Sequence, residues 1–425
     1  MPNQNIFCNT PWFEAHVYWD GSLGICCQER HRPYPDHQTQ YNIRDMSLVE
    51  WCRSEPVQQF RASMLGNQPL SACTKCYQEE TLGGISRRLQ ANLKSAIYTQ
   101  QAFDVSWQQS PHSSRFVPAT TQTPVDLHID LGNFCNLTCK MCHAQASSRI
   151  AQQQVIWGNT DSQQFVGQDW TRDKKTWQRF LQDLLELPNL ANLHFMGGET
   201  VLTPRFAELL DWLLAHGRNQ VRISFVTNGT RWKPDVMERL SQFCNVGAEI
   251  SIETVSKHND YIRQGTDTSQ VLANIQKYLD WANQTTHSVT LRSAPQALSA
   301  GSYHLLLHWA LQHRVIIKAN ICLKPEFMHV SVLPRALRKR LMQPYQQILQ
   351  ELPHIDIDKD YNTSNPAAVE HSAKAQAQVM IGLLSSPEAD NQPQLLQQLI
   401  SHCRQWDSVG NLLFDDFYPE LLTNE

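Results

Sequence analysis

The chain has 425 residues and a mass of 48.8 kDa, which predicts two or three domains unless an α/β barrel takes up most of the length. Hydrophobic residues make up 41% and charged residues 18%, a composition that excludes collagen, coiled coil and disorder throughout. The net charge of −4 gives no strong basic field, which disfavours nucleic acid and anionic membranes as partners.

The sequence contains no run of roughly 18 apolar residues, and its first residues lack the basic and apolar regions of a secretory signal. We therefore expect a cytoplasmic protein without a membrane span. In a reducing compartment, the 12 cysteines favour metal or redox chemistry over disulfides.

The first group of cysteines comprises Cys8, Cys26, Cys27, Cys52, Cys73 and Cys76. Cys8 precedes a Gly-x4-Cys segment that ends at Cys26, and Cys73 and Cys76 form a CxxC pair. Four thiolates of this kind can close one all-cysteine metal site. Cys27 remains an alternative to Cys26, because adjacent cysteines are indistinguishable in sequence. Cys52 is predicted to be a helix thiol.

A polar stretch at 99–123 predicts a linker. Six apolar strand patterns follow, at 125–131, 193–196, 221–226, 248–252, 289–291 and 315–321. Helical patterns such as 206–214 and 271–279 separate them, so we expect βαβ units in a parallel sheet with active-site residues at the carboxyl ends of the strands. The Gln- and Trp-rich segment 147–175 is predicted to be an inserted cap, and the region beyond Pro334 a helical tail.

Three cysteines follow the first of these strands in the spacing CxxxCxxC: Cys135, Cys139 and Cys142. Three thiolates can hold three corners of an iron–sulfur cube, whose fourth iron then lacks a protein ligand. An open iron of this kind can take part in a reaction instead of only holding the fold together. The alternative is a structural zinc site completed by His143 or His128.

Further short motifs end the following strands. Met196-Gly-Gly-Glu199 follows the second strand, where two glycines allow close approach of a ligand and a carboxylate suits an ammonium group. Thr227-Asn-Gly229 ends the third strand, Ser251-Ile-Glu253 follows the fourth, and Tyr261-Ile-Arg263 comes shortly after.

Taken together, these motifs resemble the radical S-adenosylmethionine (SAM) superfamily over about 125–333, as a partial (βα)6 barrel of the α/β class. The resemblance implies that Cys135, Cys139 and Cys142 bind a [4Fe–4S] cluster whose open iron is chelated by the methionine part of SAM. It also implies reductive cleavage of SAM to a 5′-deoxyadenosyl radical, which abstracts hydrogen from a peptide or small-molecule substrate. A reductant such as flavodoxin or ferredoxin is the implied partner.

The same resemblance implies cofactor contacts at Phe134, Met141, Gly197, Gly198, Glu199, Asn228, Ser251, Glu253 and Arg263. Glu199 would bind the methionine amino group, Ser251 and Glu253 the ribose, and Arg263 a carboxylate. The chain departs from the family pattern at Met141, which replaces an aromatic residue, and at Glu253, which replaces an aspartate.

The N-terminal cysteines resemble those of twitch and SPASM domains, which carry auxiliary iron–sulfur clusters. The resemblance implies one cluster, of the [4Fe–4S] type, held by Cys8, Cys26, Cys73 and Cys76. We expect one cluster and not two because no further C-x5-C-x3-C segment follows. In most relatives this domain follows the barrel, whereas here it precedes it. A zinc knuckle with the same ligands is the alternative.

The predicted domains are a twitch/SPASM-like domain at 1–98, the linker at 99–123, the barrel at 124–333 and a helical C-terminal region at 334–425. Cys244, Cys322 and Cys403 are expected to be core thiols. A basic helix face with Arg335, Arg338, Lys339 and Arg340 is expected to be solvated. A radical methyltransferase is disfavoured because no cobalamin signature occurs, and a non-enzymatic protein with structural zinc sites remains the alternative function.

Overall fold

The computed structural model describes residues 6–27, 41–81, 86–92, 107–109, 116–118, 123–167, 169–352, 366–389 and 391–422. The chain divides into two compact units. The first comprises Met1–Phe134, Gln164–Phe225 and Glu238–Asn245, and the second Cys135–Gln163, Val226–Met237 and Val246–Glu425. The described residues include five strands of a mixed sheet in the first unit and three parallel strands in the second, with helices between the strands, which confirms the predicted α/β fold class.

The strands are, in chain order, β1 (Glu14–Val17), β2 (Leu23–Gly24), β3 (Trp107–Gln109), β4 (Phe116–Pro118), β5 (Asp126–Asp130), β6 (Asn192–Met196), β7 (Arg222–Thr227), β8 (Val246–Ser251), β9 (Ser288–Ser293) and β10 (Ile316–Ala319). The six strands β5 to β10 are those that the sequence predicts. β3 and β4 form a separate antiparallel pair.

The α-helices are α1 (Thr10–Phe13), α2 (Leu48–Arg53), α3 (Glu55–Leu65), α4 (Thr74–Thr81), α5 (Ser148–Ile156), α6 (Lys174–Leu185), α7 (Pro204–Ala215), α8 (Pro234–Leu240), α9 (His258–Ile262), α10 (Thr268–Asn283), α11 (Tyr303–Gln312), α12 (Arg335–Leu341), α13 (Gln343–Glu351), α14 (Pro366–Ser385), α15 (Gln392–Asp407) and α16 (Phe414–Phe417). None of the described helices is long and apolar enough to cross a bilayer.

In the first unit, the strands lie in the order β2, β1, β5, β6, β7. β5, β6 and β7 are parallel, and β1 adds to the free edge of β5 in parallel register while pairing antiparallel with β2. One face of this sheet packs on α7: the ring of Phe206 lies 5.0 Å from Phe195 and 5.7 Å from Phe225, between ring centroids. Alternate residues therefore point to the opposite face.

In the second unit, β8, β9 and β10 form parallel neighbours. The long helix α14 packs against β10, α11 and α13, and its buried residues include Ala373, Ala377 and Met380. This region confirms the predicted helical C-terminal tail. The predicted cap is also helical in part, because α5 occupies its first half.

Three expectations need correction. Cys244 is exposed, because it lies in the turn before β8 while its neighbour Phe243 takes the buried position. Arg338 is buried and donates hydrogen bonds to the carbonyl oxygens of Leu333 and Leu384, so the basic face of α12 is not wholly solvated. The predicted linker contains β3 and β4, and the rest of it up to residue 122 lies outside the described residues.

Candidate functional site

The loop with Cys135, Cys139 and Cys142 belongs to the second unit, where neighbouring backbone fixes its path. The amide of Thr138 donates to the carbonyl of Gln264 at 3.0 Å, and the amide of Lys140 donates to that of Ile262 at 2.8 Å. The loop is therefore shaped by the segment that follows α9.

The three thiols interact electrostatically. Burial, and after it the nearby sulfurs of Cys139 and Cys135, raises the pKa of Cys142 to about 12. Such thiols keep their protons at neutral pH until a metal ion replaces them, as metal ligation requires. The donor set of three clustered, largely buried cysteines therefore fits an iron–sulfur cluster with one open iron.

Arg263 and Glu253 form a buried ion pair beside this loop. Arg263 Nη1 donates to Glu253 Oε1 at 2.9 Å, and the other carboxylate oxygen accepts from the amide of Ala294 at 2.7 Å. Burial alone would lower the pKa of Arg263, but Cys139, Glu253 and Cys135 raise it overall. The Arg263 guanidinium thus stands among the thiols, where it can balance the charge of a thiolate-bound cluster. A ribose contact of Glu253 stays a prediction.

The Gly-Gly-Glu turn lies in the first unit, directly after β6. Gly198 has a φ of +56°, and a Cβ at this position would overlap the carbonyl of Phe134. The Glu199 amide donates to that same carbonyl oxygen at 2.6 Å. The turn therefore lies against the residue immediately before Cys135, with no room for a side chain at residue 198.

Glu199 itself is 1% exposed, and its Oε1 accepts a long hydrogen bond of 3.4 Å from the amide of Val201. A buried carboxylate on a turn that admits only glycine fits the ammonium group of a ligand held close to the backbone. The residues present thus fit the amino end of SAM.

The other residues expected to contact the cofactor have mixed surroundings. Asn228 Nδ2 donates to Asn136 Oδ1 at 2.8 Å, so Asn228 supports the cysteine loop. Phe134 is 49% exposed, and Met141 and Ser251 are half-buried. Their cofactor contacts stay predictions.

Among the N-terminal cysteines, Cys8 and Cys76 are buried, and Cys26, Cys27 and Cys73 are half-buried. Burial is the main cause that raises the pKa of Cys76 to about 11, and the nearby thiols of Cys8 and Cys27 contribute in the same direction. Cys27 also receives a hydrogen bond from Arg87, while burial raises its pKa. Cys27 thus lies within electrostatic range of Cys76, and the choice between Cys26 and Cys27 as ligand stays a prediction.

Sequence reasoning missed a polar strip on the face of the first unit's sheet that points away from α7: Glu14, His16, Asp126, His128, Asp130, Asn192 and His194. The rings of His128 and His194 are 4.8 Å apart, and Asn192 Nδ2 donates to Asp126 Oδ1 at 2.5 Å. The strip reaches the Gly-Gly-Glu turn at Asp130, because a Cβ on Gly197 would lie 2.8 Å from the Cβ of Asp130. The sequence does contain a sign of this strip, because Asp126, His128 and Asp130 alternate with apolar residues along β5.

Ligand-type atoms of Glu14, Asp126 and His128 lie within 4.8 Å of one another in this strip. Arg87 Nη2 donates to both Glu14 oxygens at 2.5 Å and lies 3.1 Å from His128 Nε2. Because arginine only donates, His128 Nε2 is the acceptor and the ring is neutral. The guanidinium thus takes the place that a metal cation would need.

Two family models match the chain. The model of the radical SAM superfamily matches residues 129–288, and the SPASM model, described as an iron–sulfur cluster-binding domain, matches residues 8–77. The chain thus contains a radical SAM domain and a SPASM domain. Its SPASM domain lies N-terminal to its radical SAM domain, as the cysteine spacing predicts, and these families imply a [4Fe–4S] cluster, SAM and auxiliary iron–sulfur binding.

Among curated proteins, the chain is similar to the sporulation killing factor maturation protein SkfB of Bacillus subtilis, at 24% identity over 38% of this chain and 34% of that protein. It is also similar to the mycofactocin maturase MftC of Mycobacterium tuberculosis, at 30% identity over 33% of this chain and 30% of that protein. The chain thus spans about a third of the length of the curated relatives it matches.

Similar solved structures include Streptococcus suis SuiB bound to S-adenosylmethionine, with 13% identity and a TM-score of 0.33 over 66% of this chain and 58% of that chain. Another is anSMEcpe with bound AdoMet, with 18% identity and a TM-score of 0.39 over 54% of this chain and 59% of that chain.

Proposed function

We propose that this chain is a radical SAM enzyme that cleaves SAM reductively and abstracts hydrogen from a peptide or small-molecule substrate. The observation that carries this proposal is the hydrogen bond from Glu199 to the carbonyl of Phe134, which fixes the Gly-Gly-Glu turn to the residue before the first cluster cysteine. When bound, the cluster and SAM supply the electron and the radical that attacks the substrate hydrogen.

Each residue of the site has a role of its own in this proposal. Cys135, Cys139 and Cys142 hold three irons and leave the fourth open. Glu199 binds and orients the methionine ammonium in a place without water. Arg263, buried among the thiols and paired with Glu253, balances the charge of the thiolates. Asn228 keeps the cysteine loop in place through Asn136.

The N-terminal domain is proposed to hold one auxiliary cluster through Cys8, Cys73, Cys76 and either Cys26 or Cys27. A peptide substrate is supported by the names of two curated relatives, a killing factor maturation protein and a maturase. We place the substrate among peptides first and small molecules second.

The test is anaerobic purification followed by metal counting and a search for 5′-deoxyadenosine after reduction with dithionite. We expect about eight irons per chain, four for each of two clusters. Cys139→Ala should abolish SAM cleavage and remove the barrel cluster, whereas replacing Cys73 and Cys76 with Ala should remove the N-terminal iron alone. Reconstituted wild-type protein that forms no 5′-deoxyadenosine would contradict the proposal, and stoichiometric zinc in place of the N-terminal iron would contradict the auxiliary cluster.

A further inference from the structure

Lys140 lies inside the cysteine loop, between Cys139 and Cys142, yet its side chain is only 1% exposed. A buried ammonium is costly unless it is paired and hydrogen-bonded. Its partners come from α15 and from the segment after α9, all within the second unit. α15 begins at residue 392, well beyond the 129–288 matched by the radical SAM family.

Asp407, the last residue of α15, is the counter-ion of Lys140. Its Oδ1 lies 3.3 Å from Lys140 Nζ and accepts from the Tyr261 hydroxyl at 2.9 Å. Its Oδ2 accepts from the amide of Phe414 at 2.6 Å. Both oxygens are therefore engaged, and the carboxylate has a single well-defined orientation.

Three further contacts enclose Lys140. The ammonium lies 4.6 Å from the centre of the Tyr261 ring. It also donates to Gln264 Oε1 at 3.2 Å, in addition to Asp407 Oδ1 at 3.3 Å. His402, five residues before Asp407 on α15, donates from Nε2 to the backbone carbonyl of Lys140 at 2.9 Å. α15 thus holds both the side chain and the backbone of a residue between two cluster ligands.

We propose that Asp407 and His402 are positioning residues by which α15 holds the cysteine loop in the shape that binds the cluster. The inference rests on the cluster proposed at Cys135, Cys139 and Cys142, and it needs no knowledge of the substrate. It gives the C-terminal helix α15 a function in the cofactor site. Iron should leave the loop slowly, because opening the loop would separate Lys140 from Asp407 and leave two buried charges without their partners.

The experiment measures the rate at which a strong iron chelator removes iron from the anaerobic holoprotein. In Asp407→Asn the buried charge pair is broken, and we expect iron to leave the barrel cluster at least tenfold faster than in wild type. The electron paramagnetic resonance signal of the reduced, SAM-bound cluster should broaden, because the ligands are less uniformly held. Asp415→Asn is the silent control, since Asp415 pairs with Arg404 at a surface where both side chains are about half exposed.

Loss of stability alone is excluded by two further variants. Leu399→Ala removes core packing from the same helix but leaves the charged partner of Lys140 in place. If both variants lose the same thermal stability, Leu399→Ala should release iron more slowly than Asp407→Asn. The double variant Lys140→Met with Asp407→Asn removes both buried charges while an amide oxygen can still accept from the Tyr261 hydroxyl, so it should lose less stability than Asp407→Asn alone while iron release stays fast. Iron release from Asp407→Asn at the wild-type rate, or at the rate of Leu399→Ala, would overturn the inference. Wild-type protein that binds zinc and no cluster would instead overturn the proposed function.

Discussion

Replacing Gly198 with alanine tests the contact between the Gly-Gly-Glu turn and the carbonyl of Phe134. At a φ of +56°, an alanine pays about 1–2 kcal/mol for the left-handed backbone alone. Its Cβ would also overlap the Phe134 carbonyl, so the 2.6 Å hydrogen bond from the Glu199 amide must lengthen or break, at about 0.5–1.5 kcal/mol. The total comes to about 1.5–3.5 kcal/mol, concentrated where SAM is proposed to bind.

Gly217→Ala is the matched control, because Gly217 has a φ of +67° and nothing within 4 Å of a Cβ. It should carry the backbone cost without the overlap. Titration of SAM into reduced protein, followed by electron paramagnetic resonance, should give at least tenfold weaker binding for Gly198→Ala and unchanged binding for Gly217→Ala. Equal SAM affinity in the two variants would refute the reasoning, since the turn would then be unconnected to the cofactor.

Two further substitutions test the charged groups of the site. Glu199→Gln should weaken SAM binding about ten- to a hundredfold with the iron content unchanged, because a charge-assisted hydrogen bond is worth about 1.5–3 kcal/mol; isothermal titration checks this, and unchanged affinity would contradict it. Glu253→Gln strands the buried Arg263 cation and should cost about 3–5 kcal/mol in thermal unfolding, whereas Glu249→Gln in β8, whose partner Arg292 is 35% exposed, should cost under about 1 kcal/mol. Similar losses for these two variants would contradict the burial argument.

Short-range patterns made the barrel and the cluster loop predictable. The alternation in β5 predicts a strand, and the first cysteine of the motif comes five residues after that strand ends at Asp130, so both the strand and the loop follow from nearby residues. The Gly-Gly-Glu turn was predictable for the same reason, because it ends β6 and needs two glycines.

Long-range pairing was not predictable. β1 pairs with β5 across more than a hundred residues, and a strand of four residues carries little periodicity of its own. Asp407 and Lys140 are farther apart still, and neither looks unusual in sequence, since a lysine between cysteines and an aspartate ending a helix are both ordinary surface patterns. The expectation that Cys244 is a core thiol was wrong. The turn before β8 places its neighbour Phe243 in the core and leaves Cys244 exposed, and the sequence does not show which of the two is buried.

The pairing of β1 with β5 has a consequence for dissecting the gene. A fragment that starts after the linker would make a sheet whose first barrel strand has a bare edge, with its amide and carbonyl groups unpaired along one side. Such an edge invites pairing with another molecule and so favours aggregation. The N-terminal segment therefore supplies an edge strand of the sheet as well as cysteines. If a truncated protein precipitates, we attribute this to the unpaired edge of β5 before any loss of iron.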